Sequence, residues 1–162
     1  MSNSSVIDLS KLPTPKVIEE LDYEVLFQEY LSDFTARDEE YDGLLESDPA
    51  IIILEVMAYR EMLVRKRINE SAKATLLAFA TGSDLDQIVA EYGVERLEGE
   101  KDDRLRMRGQ MALDGFSTAG PIDAYKFFAL SASVKVKSVD VRSDEPGKVI
   151  VTILSTEGDG TA

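Results

Sequence analysis

The segment DRLRMRGQMALDGFSTAGP, residues 103–121, holds the side chains with the clearest potential for chemistry, Arg104, Arg106 and Arg108. The planar guanidinium of arginine binds phosphates and carboxylates through paired hydrogen bonds. Two glycines follow at the spacing Gly115-x-x-x-x-Gly120, which is how a phosphate-binding loop begins. The segment therefore poses two alternatives, a nucleotide or nucleic-acid site and an architectural joint between helices.

The phosphate-binding alternative fails on the residues after the second glycine. A phosphate loop needs Lys and then Ser or Thr after it, with a strand before the loop and a helix behind it. Here Pro121-Ile122 follows, and the pattern before Gly115 is helical. A nucleic-acid site is also disfavoured, because the chain has a net charge of −13 and the arginines have no interleaved aromatic residues. We therefore predict that the arginines pair with carboxylates of their own chain or of a neighbour.

The amino-acid composition excludes most kinds of catalytic site. The chain has no His and no Cys, so the commonest general base, the commonest nucleophile and the usual zinc ligands are missing. The carboxylate-rich stretch DEEYDGLLESD, residues 38–48, lacks the spacing of a calcium loop, which favours a solvated loop. We assign no catalytic residue, no metal and no cofactor. A hydrolase that uses a carboxylate pair stays open as a minor alternative.

Charge and hydropathy limit the partners. Residues 1–48 hold 13 of the 31 acidic residues and 3 of the 18 basic residues, so this part is either solvated or faces a basic partner. So acidic a chain should repel nucleic acid and anionic lipid. No apolar run approaches the ~20 residues of a membrane span, and no secretory signal is visible. We expect no nucleic acid, membrane or small-molecule substrate among the partners, and the cytoplasm is the default compartment.

The elements that must position the arginines divide the chain into three parts. Residues 1–15 predict an extended arm, because Pro13 and Pro15 interrupt it. Residues 16–100 predict a helical domain, with one or two short helices over 16–35 and one long helix over about 49–80. Asp48-Pro49 is a strong start for the long helix. Its first part is apolar on nearly every side, which predicts burial on every side.

Residues 101–162 predict a helix, a second helix and a β-hairpin. Asp103 is the expected cap of the first helix, and Gly120-Pro121 starts the second. Apolar and polar residues then alternate over residues 134–143, and together with residues 149–155 this predicts two strands with Pro146-Gly147 at the turn between them. The fold class is therefore α+β, mainly α-helical with a hairpin that begins a small sheet. We expect the arm, a partner or a longer chain to complete that sheet, and we favour a truncated second α/β domain.

Four pieces of the chain, in order, resemble the baseplate J family of contractile-tailed phages, in particular its members from P2-like phages. They are IDLSKLPTPKVIEELDYE, AYREMLVRKRINESAKATLLAFATGSDLDQ, DDRLRMRGQMALDGFSTAGPIDAY and VKSVDVRSDEPGKVIVTILS. Together they cover most of the chain, as the N-terminal half of a family member. Arg104, Arg106, Gly120, Pro121 and Tyr125 match the most recognisable piece, and the resemblance gives them an architectural role.

The resemblance implies a virion structural protein of the tail baseplate wedge, without enzymatic activity or cofactor. Such proteins form the inner wedge ring around the central hub and spike, join neighbouring wedges and, like the larger wedge protein of T4-like phages, dimerise within a wedge. They are assembled in the cytoplasm of the bacterial host. Family members are usually longer, so the contacts of the C-terminal half are expected to be absent. A phage and a phage-tail-like particle are not distinguished, and a generic helical adaptor remains the alternative.

Overall fold

A computed structural model describes residues 6–38, 40–42, 45–117 and 120–158 of the chain. The elements within these residues confirm the α+β class. One 3₁₀ turn and five α-helices precede an antiparallel hairpin: the turn Leu9–Lys11, α1 Tyr23–Arg37, α2 Pro49–Ala74, α3 Gly82–Ala90, α4 Asp102–Gly115, α5 Ile122–Ala132, β1 Val136–Glu145 and β2 Lys148–Ser155. No helix in the described part is long and apolar enough to cross a membrane.

The chain divides into two compact units. Unit 1 combines the residues up to Leu12 with those from Ala74 onward, and unit 2 is Pro13–Lys73. This division differs from the predicted boundaries after residues 15 and 100. The difference has a physical cause, because Leu85 and Val89 of α3 share one buried cluster with Leu105 of α4 and therefore fold with the C-terminal residues.

Unit 2 contains α1 and nearly all of α2. Asp22 caps α1, since its Oδ1 accepts hydrogen bonds from the N–H groups of Glu24 and Val25 at 2.8 and 3.4 Å. Asp48 caps α2 as predicted, accepting from the N–H of Ala50 at 2.8 Å. These two side chains satisfy backbone donors that the first turn of a helix leaves without partners.

The long helix α2 ends at Ala74, six residues before the predicted end at Ala80. The chain then turns, and the N–H groups of Phe79 and Ala80 both donate to the carbonyl of Leu76. Ala80 is 1% exposed in the core of unit 1, so packing there overrides the helical pattern of the sequence. The end of this helix is therefore set by a long-range contact rather than by a helix-terminating residue such as Gly or Pro.

The prediction that the first part of α2 is buried on every side is wrong. Only Ile51, Leu54 and Ala58 are buried, whereas neighbouring apolar side chains are exposed: Ile52, Ile53, Val56 and Met57. The other described helix of unit 2 is α1, and one neighbouring helix covers only one side of another.

Unit 1 is built around α4, which contributes to two buried clusters. The first joins α4 to α3 and includes Leu85, Val89, Val94, Leu105 and Ala112. The second joins α4 to α5, to the hairpin and to Val6 of the arm, and its buried members are Met111, Leu130 and Val136. The arm is held further by the N–H of Ile7, which donates to Oε1 of Gln110 at 3.1 Å.

The hairpin has its predicted turn. Gly147 has a φ of +80°, a left-handed conformation that glycine adopts without strain. Val139 pairs with Ile153 and Val141 with Val151, which puts four apolar side chains on one face of the sheet. Val139 and Ile153 pack on the second buried cluster, and this contact attaches the hairpin to the helices.

Candidate functional site

Two of the three arginines of α4, Arg104 and Arg108, bind a buried carboxylate that sequence analysis did not single out. The side chain of Glu100, just before α4, is fully buried. The helix begins at Asp102 with Lys101 as its N-terminal cap residue, so Asp103 is not the cap that the sequence predicted. A spacing of four residues separates Glu100, Arg104 and Arg108, and this spacing puts side chains on one face of a helix. It is the feature of the sequence from which the cluster could have been predicted.

Arg104 binds Glu100 and the junction between α5 and β1. Its Nε donates to Oε1 of Glu100 at 3.1 Å. Its Nη2 donates to the carbonyls of Leu130 and Ser133 at 2.6 and 2.7 Å, and its Nη1 donates to the carbonyl of Val136. The last carbonyls of a helix lack partners within the helix. Arg104 therefore satisfies the end of α5 and fixes the start of the hairpin.

Arg108 binds the second carboxylate oxygen of Glu100. Its Nη1 donates to that oxygen at 2.6 Å and to the carbonyl of Glu95 at 3.1 Å, and its Nε donates to Oγ of Ser131 at 3.1 Å. Arg108 is 3% exposed. Because this guanidinium lies inside the protein and is paired there, it is not presented to an external phosphate or carboxylate.

Arg106 points to another side of α4. Its Nε and Nη2 donate to the carbonyls of Leu77 and Ala80 at 2.8 and 2.7 Å, and its Nη1 donates to Oδ1 of Asp103 at 3.0 Å. These carbonyls belong to the turn that follows α2. Arg106 thus holds that turn on α4 within unit 1.

Gly120, Pro121 and Tyr125 form the start of α5. Gly120 has a φ of +64°, and a Cβ atom there would lie 2.9 Å from the hydroxyl oxygen of Tyr125. Pro121 is the cap residue of α5 and has extended backbone. Only glycine combines this left-handed backbone with the close approach of the tyrosine ring. These residues shape the bend before α5, as expected if Gly115 and Gly120 belong to a joint between two helices rather than to a phosphate-binding loop.

A second cluster of ion pairs in unit 1 was also missed by sequence analysis. Arg96 lies between Asp86 and Asp102, with N–O distances of 2.7 Å to each. Oδ2 of Asp102 accepts from the N–H of Gly82 at 3.0 Å, and this bond, with Arg96, holds the pKa of the Asp102 carboxyl below its usual range. Arg96 sits next to a polar linker with no periodic pattern, so nothing in the sequence marked it.

Unit 2 has a smaller polar network between its helices. The hydroxyl of Tyr30 on α1 donates to Oε2 of Glu61 on α2, and Nε of Arg65 donates to Oε1 of Glu61 at 2.8 Å. The hydrogen bond from Tyr30, followed by that from Arg65, lowers the pKa of Glu61. Arg65 also reaches Glu19 at 3.5 Å. The hydrogen bond from Tyr30 therefore connects α2 to α1, and the ion pair with Glu19 connects α2 to the chain before α1.

The carboxylate-rich stretch at 38–48 does not form a metal site in the described residues. No group of three or more His, Cys, Asp or Glu in the described part of the chain is arranged to hold a metal ion. Burial, and then the neighbouring Asp48 carboxylate, raise the pKa of Tyr41 in this stretch to about 12. Glu39, Gly43 and Leu44 of the stretch lie outside the described residues.

An exposed apolar stripe on α2 is a candidate surface for contact with another molecule. Its residues lie on one side of the helix, at spacings of four and seven, and are 45–59% exposed: Ile53, Met57, Val64 and Ile68. Arg60 and Arg67 flank the stripe, and within the described residues neither forms a salt bridge. An apolar stripe flanked by unpaired cations is typical of a protein-binding surface rather than of a catalytic site.

Unit 2 also presents an acidic groove. This open groove of about 890 Å³ is lined by four carboxylates, Glu24, Glu29, Asp33 and Glu61. The half-exposed side chain of Val25 lies among them. The groove and the stripe are therefore opposite in charge, and both carry apolar side chains.

Comparison with known proteins agrees with the sequence resemblance. Residues 46–103 match the Baseplate J-like N-terminal domain, a range that includes all of α2 and α3. The chain is 36% identical over 179 aligned positions to Baseplate protein J of Escherichia phage P2. The alignment covers 97% of this chain and 59% of that relative, so the chain spans little more than half of the relative's length.

Proposed function

We propose that this chain, which belongs to the baseplate J family, is a structural part of the baseplate wedge in a contractile phage tail or a phage-tail-like particle. The observation that carries the proposal is the exposed stripe of α2, which lies inside the matched residues 46–103. A soluble monomer gains nothing from large apolar side chains in water, whereas an assembly buries them. The chain is located in the tail baseplate after assembly in the host cytoplasm.

The proposed role is that of a protein that acts through contacts, without catalysis or cofactor. Its partners are other wedge proteins and the hub and spike region. In unit 1 the arginines act architecturally. Arg104 joins α4 to α5 and the start of the hairpin, and Arg106 joins α4 to the turn after α2. Arg108 joins α4 to α5 and to the linker before α4. Gly120, Pro121 and Tyr125 act in the same sense by shaping the start of α5.

Self-association through unit 2 is part of the proposal. The apolar stripe of α2 with Arg60 and Arg67 complements the acidic groove at α1, in which Glu24 and Glu29 flank Val25. In a two-fold dimer each copy supplies both surfaces, so one pair of complementary patches is used twice. Burial of the apolar side chains supplies the affinity, and the charges select the partner.

The role in assembly is tested by deleting the gene from the source strain, inducing the strain and imaging its lysates by negative-stain electron microscopy. We expect tails to be lost or replaced by loose sheath polymers, and we expect the wild-type gene to restore them. A gene carrying Val64→Asp should fail to restore them, since it places a charge in the apolar stripe.

Lys66→Asp is the matched control, because Lys66 is exposed and lies two residues from Val64 on the opposite side of α2. This variant should restore the tails. Intact contractile tails in the deletion strain would refute the assembly role and favour a generic adaptor. Restoration by Val64→Asp would refute only the use of the stripe.

A further inference from the structure

A pocket in unit 1 lies where four parts of the chain meet. Its volume is about 270 Å³. Val6 of the arm, Met107 and Met111 of α4, Leu130 of α5 and Val139 of β1 line it. Met111 and Leu130 belong to the buried cluster beneath the hairpin, and Met107 is half-exposed. A pocket of this size admits one large apolar side chain, and methionines adapt to its shape.

The charged residues that line this pocket are all basic. They are Lys126 and Lys137, and no described carboxylate joins them, although the chain has 31 acidic residues against 18 basic ones. Nζ of Lys126 lies 3.1 Å from Oδ1 of Asp123, whereas Lys137 is exposed and forms no salt bridge within the described residues. The acidic groove of unit 2 has the opposite lining, so this pocket selects a different partner group.

Within the described residues, no third strand pairs with β1 at the sheet edge next to the pocket. In the described residues the sheet has two strands, and β1 pairs with β2 on one side only. Lys137, Ser138 and Val139 of β1 all line the pocket, so the strand passes directly beside it. An edge strand presents unpaired N–H and C=O groups that can pair with an extended segment of another chain.

We propose that β1 and this pocket together bind an extended segment of a partner protein. The segment adds a strand to β1, places one large apolar side chain in the pocket, and carries an Asp or Glu beside it that faces Lys137. The backbone bonds supply affinity and the pocket supplies specificity, as in other cases of strand addition. The proposal rests on the function proposed above in one respect, that the ligand of the chain is a protein.

The test begins by selecting peptides from a displayed random library on the immobilised full-length chain. We expect the selected peptides to share an apolar residue next to an Asp or Glu. Each selected peptide is then titrated by fluorescence anisotropy against the wild type and two variants. Lys137→Glu should weaken binding about tenfold or more, because it sets like charges against each other. Lys148→Glu changes an exposed lysine of β2 outside the pocket and should leave binding unchanged.

Charge reversal and hydrogen exchange complete the test. A peptide with Lys in place of its acidic residue should bind Lys137→Glu better than it binds the wild type. The bound peptide should slow amide hydrogen exchange in β1, at residues 138–142. A selection without an apolar-acidic motif, equal binding to Lys137→Glu, or protection confined to α1 and α2 would each overturn the proposal.

The two proposals fail separately. Val64→Asp on α2 tests assembly without altering the pocket, and Lys137→Glu tests the pocket without altering the stripe. Peptide binding that depends on Lys137 would stand even if the deletion strain formed normal tails. Conversely, if the peptide selection fails, the proposed peptide site is refuted even when the deletion strain forms no tails.

Discussion

At the scale of single residues, unit 1 contains a buried ion cluster in addition to its two apolar clusters. Glu100 is fully buried between Arg104 and Arg108, and Arg104 continues to three carbonyls at the junction of α5 and β1. Two arginines compensate one buried carboxylate, and backbone carbonyls accept the remaining hydrogen bonds. Such a cluster costs desolvation but leaves few alternative arrangements, so it orients the hairpin.

Glu100→Gln should lower the free energy of unfolding by about 3 kcal/mol, because it removes one charge of a buried network and leaves the arginines uncompensated. Urea denaturation followed by circular dichroism measures the change. Glu98→Gln is the control, since Glu98 is exposed in the same linker and should change stability by less than about 0.5 kcal/mol. Equal effects of the two variants would show that the cluster contributes little.

At the scale of elements, α4 packs so closely on α3 that one helical position excludes a side chain. A Cβ atom on Gly109 would lie 2.8 Å from Cγ1 of Val89, which is fully buried. Glycine weakens a helix interior by about 1 kcal/mol relative to alanine. The close contact between helices therefore requires a residue that disfavours the helix itself.

Gly109→Ala should destabilise the protein by about 1 kcal/mol, because overpacking against Val89 outweighs the gain in helix propensity. Combining it with Val89→Ala should recover part of the loss, since the smaller side chain makes room for the new methyl group. The double-mutant cycle on urea unfolding measures this coupling. Simple additivity of the two changes, or a stabilising Gly109→Ala, would contradict the close packing.

At the scale of the whole molecule, charge is distributed unevenly in a way that suits association. Unit 2 presents an acidic groove and, on α2, an apolar stripe beside Arg60 and Arg67. In unit 1, Arg104, Arg106 and Arg108 are held in internal contacts, and two lysines line the pocket beside β1. The overall net charge of −13 should keep copies apart unless specific patches offset the repulsion.

Self-association predicts a charge dependence that sedimentation equilibrium can measure. The double variant Arg60→Glu, Arg67→Glu should dissociate at least about tenfold more readily than the wild type, as should the double variant Glu24→Lys, Glu29→Lys. A mixture of the two should form a heterodimer, because the reversed charges match again. Association that is unaffected by either pair, or no recovery in the mixture, would exclude the proposed dimer contact.

Sequence alone determined the features that depend on neighbouring residues or on local pattern. Asp48-Pro49 began α2, Pro146-Gly147 formed the hairpin turn, and the absence of Lys after Gly120 excluded a phosphate loop. The family resemblance also came from the sequence, since long stretches in order carry more information than one short motif. Caps, turns and periodicities act within a few residues, so they are legible before the chain folds.

Tertiary structure alone decided the features that depend on distant partners. Arg106 binds the carbonyl of Leu77, which is 29 residues away in the chain. Leu77 lies in the turn that follows the end of α2 at Ala74. Glu100 binds Arg104 and Arg108, and both arginines are oriented by groups of the distant helix α5, the carbonyl of Leu130 and the hydroxyl of Ser131. The α2 stripe is exposed because few other elements pack on this helix. The pattern of apolar residues in a sequence does not encode how many elements pack on a helix.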